Sequence, residues 1–284
     1  MSKLIQMRNR IQTIETIRKV TDAMRIISMS AHSRLKAKQD ALDNYLHTLS
    51  ILLAKVQQAT PSWSNERLMP TSIHNNNPLI ILIGSQKGLC GGFNSHLLKF
   101  FDGYLKEYPS AHYHFVAVGK KAVDYMQAHH SDAILKTYPT LTAQKFLIIA
   151  QQLAHHIMMA PQPYTSVTIF SNAFKSFFVQ KPTVTQLIPF DQKKIVALIE
   201  APSEGYLWDE QPQEILDKLA AHYIEAQLQH LIFQSLLSEQ AARFISMDNS
   251  TRNANGLLEA TKLEYNKLRQ AKITTEITEL SGSF

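Results

Sequence analysis

The stretch LIQMRNRIQTIETIRKVTDAMRIISMSAHSRL, residues 4–35, decides the fold. Its apolar side chains recur at steps of three and four residues, which is the spacing of one stripe along an α-helix. The first sixty residues contain neither glycine nor proline, and Pro61 begins a polar loop. A helix through residue 59 would be roughly 85 Å long at 1.5 Å per residue. The stripe consists of Leu4, Met7, Ile11, Ile14, Ile17, Val20, Met24, Ile27, Ala31 and Leu35.

A partner for so long a helix lies at the other end of the chain. After Pro212 there is no further proline, and the glycines are Gly256 and Gly282. The two terminal helices are predicted to pair as an antiparallel coiled coil, which would bury both apolar stripes. Ser, Thr and Asn interrupt the second stripe, so the rod must also face something other than its partner helix. That stripe includes Ile215, Leu219, Tyr223, Leu228, Leu231, Leu237, Phe244, Met247, Leu257, Leu268 and Ile277.

The middle of the chain has a different pattern. Short apolar runs at 79–83, 113–118, 167–170 and 183–188 alternate with helical stretches. This alternation predicts a largely parallel sheet covered by helices. The fold class is therefore α+α/β: a long antiparallel coiled coil with an inserted small α/β (Rossmann-like) domain. The predicted boundaries are 1–60 for the N-terminal helix, 61–77 for a linker, 78–192 for the α/β domain, 193–211 for a connector or foot, and 212–284 for the C-terminal helix.

Composition restricts the function classes. The chain has 284 residues and a net charge of +6, and residues 1–60 alone carry ten Lys and Arg against four Asp and Glu. Such a basic helix could meet nucleic acid, an anionic membrane or an acidic protein surface, or be a solvated face. The single cysteine excludes a disulfide within the chain and argues against a zinc cluster. No membrane-spanning stretch, signal peptide or transit segment is expected.

The segment GSQKGLCGGFN, residues 84–94, stands between a predicted strand and a predicted helix, where nucleotide-binding folds place their phosphate loop. The Walker pattern fails because Gly88 is followed by Leu89 and Cys90 and not by Lys and Ser or Thr. The dinucleotide pattern G-x-G-x-x-G fails as well. We therefore predict a tight structural turn, with no cofactor. No neighbouring base would activate Cys90 as a nucleophile, and His96 is a distant candidate.

Three regions, in order, resemble the gamma subunits of rotary ATP synthases. They are the N-terminal helix with MRNRI at 7–11 and VTDAM at 20–24, the internal motif GLCGGFN at 88–94, and the C-terminal helix. In that helix the similar segments are SEQAARFISMD at 238–248, NAN at 253–255, YNKLRQA at 265–271 and ITTEITE at 273–279. The resemblance covers nearly the whole chain. It implies a coiled coil joined to a small α/β domain.

The resemblance also implies a role. The chain would be a rotating central stalk without catalytic activity of its own, coupling proton or sodium flow to ATP synthesis or hydrolysis and helping to regulate the ATPase. Its implied partners are three alpha and three beta subunits, the epsilon subunit and the c-ring, with no nucleic acid. The implied location is the cytoplasmic face of a bacterial inner membrane, with membrane contact only through the complex.

Interface positions follow from the same resemblance, residue by residue. Two departures affect this comparison: Asp22 stands where the family usually has Lys, and Gln86-Lys87 replaces the usual Asp-Arg. Tyr206 and Trp208 match the foot that meets the c-ring and epsilon. The positions matching contacts with the alpha and beta subunits are Met24, Lys87, Cys90, Arg243, Gln270, Thr274, Glu276 and Glu279.

Two alternatives remain open from the residues alone. The first is an enzyme with a nucleotide-binding α/β domain, against which the failed loop patterns argue. The second is a coiled-coil scaffold or nucleic-acid binder that uses the basic first helix. Aromatic residues interleaved with the basic ones would favour the second reading, and residues 1–40 contain no aromatic residue.

Overall fold

Two long terminal helices enclose, along the sequence, a five-stranded sheet with its own helices. The computed structural model describes residues 2–70, 77–110, 112–191, 195 and 210–281. The predicted fold class is confirmed. The elements in chain order are α1 Ser2–Ala59, β1 Pro78–Ile83, α2 Phe93–Glu107, β2 His114–Val118, α3 Lys120–His129, a 3₁₀ turn Ser131–Ala133, β3 Ile134–Tyr138, α4 Phe146–Met158, β4 Ser166–Ser176, β5 Val179–Ile188 and α5 Pro212–Ser281.

The sheet has the strand order β3-β2-β1-β4-β5. Strands β1 to β4 run parallel to one another, and β5 runs antiparallel to β4 at one edge. The central strand β1 is buried along its whole length. Its continuous apolar sequence suits a strand covered on both faces. The edge strand β3 was not among the predicted apolar runs, because only part of it is buried.

The fold divides into two compact units. The sheet unit comprises His32–Ala242, and the terminal helical unit comprises Met1–Ala31 together with Arg243–Phe284. The large core of the sheet unit lies between the sheet, α4 and the sections of α1 and α5 that belong to this unit. A second cluster fills the other face of the sheet, under α2 and α3. The predicted domain boundaries remain a prediction.

The terminal helical unit is an antiparallel helix pair. Ile14 packs against Ala254 and Leu258, and contacts nearer residue 31 of α1 involve progressively earlier residues of α5. Burial of both stripes was predicted, and for part of each stripe this is wrong. In the first, Ile17 and Ile27 are 50% and 64% exposed, and in the second, Leu257 and Ile277 are 46% and 61% exposed. One helix covers only a narrow strip of its partner, so the rest of the apolar surface faces outward. Among the described helices, none has an apolar stretch that could cross a membrane.

Candidate functional site on the terminal helices and the glycine-rich turn

The terminal helical unit exposes large apolar side chains on both of its helices. Exposed apolar surface on a soluble protein can mark an interaction site. We call this set of exposed side chains, which lie on more than one side of each helix, the aliphatic face. On α1 it comprises Ile5, Ile17, Val20, Ile26, Ile27 and Met29, and on α5 it comprises Leu257, Leu263, Ile273, Ile277 and Leu280.

Polar contacts fix the register of the helix pair. The Thr251 hydroxyl donates to the Thr21 hydroxyl at 2.9 Å. Lys262 Nζ lies 2.9 Å from a carboxylate oxygen of Glu15, and this hydrogen bond and charge lower the pKa of Glu15. Such exposed ion pairs contribute about 0–1 kcal/mol each in general. They therefore specify the alignment of the helices more than they stabilise it.

A small charge cluster surrounds the predicted site residue Met24, which is half-buried. Arg25 donates to Asp22 at 2.8 Å and lies 3.6 Å from a carboxylate oxygen of Asp248 on the facing helix. Asp248 also pairs with Arg252. Asp22, the residue that departs from the usual Lys, therefore neutralises a neighbouring cation beside Met24.

The other predicted contact residues of this unit are either exposed or buried. Gln270, Thr274, Glu276 and Glu279 are exposed on the C-terminal part of α5. Glu276 pairs with Lys272 of the same helix at 3.3 Å. By the register of the pair, the last turns of α5 have no described residue of α1 opposite them. The side chain of Arg243, by contrast, is buried.

The glycine-rich turn, residues 84–94, begins with a close approach of two backbone segments. Gly84 N–H donates to the Val118 carbonyl at 2.9 Å. Gly119 has φ +88°, and a Cβ built there would lie 2.2 Å from the Gly84 carbonyl oxygen. Only glycine fits that position, because a side chain would collide with the backbone and the positive φ would be strained.

Side chains of the turn are engaged inside the fold. Ser85 N–H donates to the Asn94 side chain at 3.1 Å, and the Asn94 amide donates back to the Ser85 hydroxyl at 2.8 Å. The Ser85 hydroxyl in turn donates to the Lys87 carbonyl at 2.8 Å. The Ser85 N–H and the Ser85 and Asn94 side chains are therefore engaged within the turn. That the turn has a structural role and holds no cofactor stays a prediction.

The turn is fastened to α5 within the sheet unit. Cys90 is 2% exposed and packs with Phe93 and Ala242. Gln86 N–H donates to the Glu239 carboxylate at 3.3 Å. Of the two predicted site residues in the turn, Cys90 is thus buried and Lys87 is exposed. The predicted foot residues Tyr206 and Trp208 lie outside the described residues.

Comparison with known proteins decides the family. A family model described as ATP synthase matches residues 3–284. An ATP synthase gamma chain from Geotalea uraniireducens is 30% identical over 100% of this chain and 98% of its own length. The chain belongs to the ATP synthase gamma chain family. A gamma chain from Sinorhizobium fredii is 27% identical and covers 99% of this chain and 98% of its own.

Solved structures agree with the family fold. One chain of the Euglena gracilis mitochondrial ATP synthase has a TM-score of 0.70 at 17% identity, covering 99% of this chain and 93% of its own. A chain of the Tetrahymena thermophila central stalk and c-ring structure has a TM-score of 0.59 at 18% identity, covering 81% and 98%. At these identities the likeness shows the fold alone.

Two features of the site were not found from the sequence of this family member. The first is the exposure of Ile17, Val20 and Ile27, which the apolar stripe placed at the helix seam. A signal was available, because Ile5 and Ile26 lie outside the stripe and make the apolar arc wider than one seam requires. The second is Leu89, an exposed side chain in the turn with positive φ; its sequence context gives no comparable signal.

Proposed function

We propose that this chain is the rotating, non-catalytic shaft of an ATP synthase and couples ion flow through a membrane ring to ATP synthesis or hydrolysis in the beta subunits. The observation that carries the proposal is the aliphatic face. Its side chains gain nothing from exposure to water. Burying a fully exposed aliphatic side chain contributes about 1.5–3 kcal/mol, and each of these partly exposed side chains would contribute a share of that. A sleeve formed by three alpha and three beta subunits would supply that burial.

The chemistry of this face suits a shaft that must turn. Aliphatic contacts are non-directional, so one surface can face successive partner surfaces without a fixed hydrogen-bond pattern. The exposed charges around it contribute weakly and can be broken and remade. Tight adhesion to one orientation would instead oppose rotation.

The predicted contact residues divide by their exposure. Gln270, Thr274, Glu276 and Glu279 are exposed and suited to direct contact with the head, and Lys87 is suited to contact from the turn. We assign Met24 to the same surface, where Asp22 and Arg25 determine the local charge. The buried Cys90 and Arg243 would then act by shaping the backbone that carries the exposed contacts.

The remaining assignments complete the proposal. Tyr206 and Trp208 would belong to the foot that meets the epsilon subunit and the c-ring. The chain would lie at the cytoplasmic face of a bacterial inner membrane and touch the membrane only through the complex. The ring would carry protons or sodium ions, and regulation of the ATPase would act through the same shaft.

Reconstitution tests the proposal. The chain is mixed with the alpha and beta subunits of its source, and assembly and ATP hydrolysis are measured. We expect the chain alone to be inactive and one copy to enter a complex with three alpha and three beta subunits that sustains hydrolysis. A matched variant replaces Ile17, Val20 and Ile27 by Ser and should assemble more weakly.

Two results would contradict the proposal. In the first, the chain neither enters a complex nor changes its turnover. In the second, the triple serine variant assembles as well as the wild type. That result would mean that assembly does not depend on the aliphatic face. As a control, Ser replaces Leu135, Leu147 and Ile148, three exposed aliphatic residues of the sheet unit. That variant should assemble normally.

A further inference from the structure

The β4–β5 hairpin runs past the other strands of the sheet. Pairing of β4 with β1 ends at Phe170, whereas pairing of β4 with β5 continues to Ser176. Residues 174–180, which we call the hairpin tip, therefore form a two-stranded extension of the sheet. A two-stranded hairpin is marginally stable on its own in water. Such a tip needs contact with another element to stay in one position.

His32 of α1 lies against the hairpin tip. This histidine is 7% exposed. The centre of its ring is 5.6 Å from that of Phe174 and 4.9 Å from that of Phe177, which it meets edge to face. Lys36, one turn further along α1, places Nζ 5.7 Å from the centre of the Phe174 ring. We call these four residues the clasp, because two of them belong to α1 and two to the hairpin.

The buried imidazole of His32 has an unpaired nitrogen. Among the described residues, none makes a hydrogen bond to Nε2. A buried polar atom without a partner loses its hydration and gains nothing in return, so such atoms are rare. An apolar ring would fill the same space without that cost. What the imidazole adds is the ability to take up a proton near neutral pH.

The surroundings of His32 oppose a positive charge on its ring. Burial lowers the pKa of His32 below its usual 6.5, and the neighbouring ammonium group of Lys36 lowers it further. The hairpin tip presents uncharged phenyl rings to the imidazole, and its Lys175 is exposed. In the section of α5 that belongs to the same unit, the carboxylate of Glu239 accepts the Gln86 N–H. In the described part of the chain, no carboxylate pairs with His32.

We propose that the clasp is an acid-sensitive latch: the hairpin tip rests on α1 while His32 is neutral and comes away from α1 when His32 takes up a proton. This inference does not depend on the proposed shaft function. Release would uncover the half-buried rings of Phe174 and Phe177 beside Phe178, which is already 78% exposed. Acid would thereby create a larger aromatic surface at the edge of the sheet.

Acid favours the released state because that state binds more protons. In the released state His32 has its usual pKa of 6.5, and in the closed state its pKa is lower. The closed clasp is therefore fully stable above pH 6.5 and loses stability as the pH falls below that value. The ratio of released to closed molecules should rise by up to about tenfold per pH unit, until the lower pKa is reached.

Two measurements on the full chain test the latch. Nuclear magnetic resonance of the histidine rings, with the His32 signal assigned by substitution, gives the pKa of His32, which should lie below 6.5. Amide hydrogen exchange, corrected for the intrinsic effect of pH on the rate, gives the protection of the hairpin tip. Between about pH 7.5 and pH 5.5 this protection should fall by up to about tenfold, because a released tip frays. Protection of β1 should stay the same, which distinguishes local release from unfolding.

Three variants separate the proton from the packing. His32→Phe fills the clasp with a ring that cannot be charged, so its tip should have the same protection at both pH values. Lys36→Gln removes the neighbouring cation and should make the loss in acid smaller, with somewhat lower protection throughout because the contact with Phe174 is weakened. His112→Phe replaces an exposed histidine outside the clasp and should respond to acid like the wild type.

Three results would overturn the inference. The first is a pKa of His32 at or above 6.5 in the wild type. The second is equal protection of the wild-type hairpin tip at the two pH values. The third is a full acid response in His32→Phe. If His32→Phe did not fold, the pKa and the tip protection of the wild type would still decide the outcome.

Discussion

The two units bury their apolar residues to very different extents. In the sheet unit, Ile81, Phe170 and Phe233 are completely buried. In the terminal helical unit Met247, Ile14 and Leu258 still keep 3%, 5% and 7% exposure, and the side chains of the aliphatic face are exposed. A sheet with helices on both faces can bury its core side chains completely. Each helix of a pair covers only one strip of its partner.

This contrast distinguishes residues that stabilise the free chain from residues that are suited to contact a partner. A buried residue of the sheet unit loses its contacts on unfolding, so replacing it must destabilise the free chain. A residue of the aliphatic face is solvated in both states, so replacing it must leave the free chain nearly unchanged. An effect of such a replacement in the complex then reports on the partner.

The largest expected effect tests the sheet unit. Phe233→Ala removes a fully buried ring that lies 5.7 Å from the ring of Phe146. The free energy of unfolding should fall by about 3–5 kcal/mol, because a cavity forms in a closed core. Urea unfolding of the isolated chain measures this. Ile27→Ala, on the aliphatic face, is the control and should change it by less than about 0.5 kcal/mol; comparable losses would abolish the contrast.

A smaller effect is expected in the terminal helical unit. Ile14→Ala removes a side chain packed with Ala254 and Leu258. The loss should be about 2 kcal/mol, the low end for such a change, because few side chains line the site and it can collapse. Amide hydrogen exchange should show it in this unit while protection in β1 stays unchanged. Ile17→Ala serves as the control; equal loss of protection in β1 would mean that the units unfold together.

Much of this architecture could be predicted from the sequence because local patterns specify it. The absence of glycine and proline defined α1, and the continuous apolar run of β1 identified a strand covered on both faces. The edge strand β3 was missed for the same reason, since Leu135 and Lys136 are exposed and interrupt any apolar run. The glycine-rich turn was predicted to be structural because its spacing fails both phosphate-binding patterns, and this stays a prediction.

The candidate site was less predictable because it depends on what other elements leave uncovered. Helical periodicity shows that Ile14 and Ile17 share one side of α1, but it does not show how wide a strip the partner helix covers. Leu89, with its positive φ, lies in a turn that the side chains of Ser85 and Asn94 hold by hydrogen bonds, and hydrophobic periodicity does not predict such bonds. The contact residues carried by family resemblance remain predictions.

Replacing one glycine by alanine in each unit should stabilise the two units by equal amounts. Gly103 in α2 and Gly256 in α5 have open space where a Cβ would lie. Replacing either by Ala should stabilise its helix by about 0.5–1 kcal/mol, because alanine loses less backbone entropy. The gain should appear in the amide protection of the unit that carries the change. Gly119→Ala is the opposite control and should destabilise the chain, since its Cβ would meet Gly84.

The smallest expected effect concerns the Glu15–Lys262 pair, which joins the two terminal helices. Lys262 lowers the pKa of Glu15 below its usual 4.5. The contribution of the pair to stability is therefore fully present above pH 4.5 and is lost as the pH falls through the lower folded pKa. Thermal unfolding should show Glu15→Gln slightly less stable than wild type at pH 7, with the difference vanishing in acid.

The control for this pair is Glu276→Gln, whose ion pair with Lys272 lies within one helix. Both variants lose one exposed carboxylate, and both differences should shrink in 1 M salt, where the Debye length is about 3 Å. Glu15→Gln should also lower amide protection in both helices, because it removes a link between them. Glu276→Gln should affect α5 alone. If the two variants had the same effect on α1, the Glu15–Lys262 pair would not help hold the helices in register.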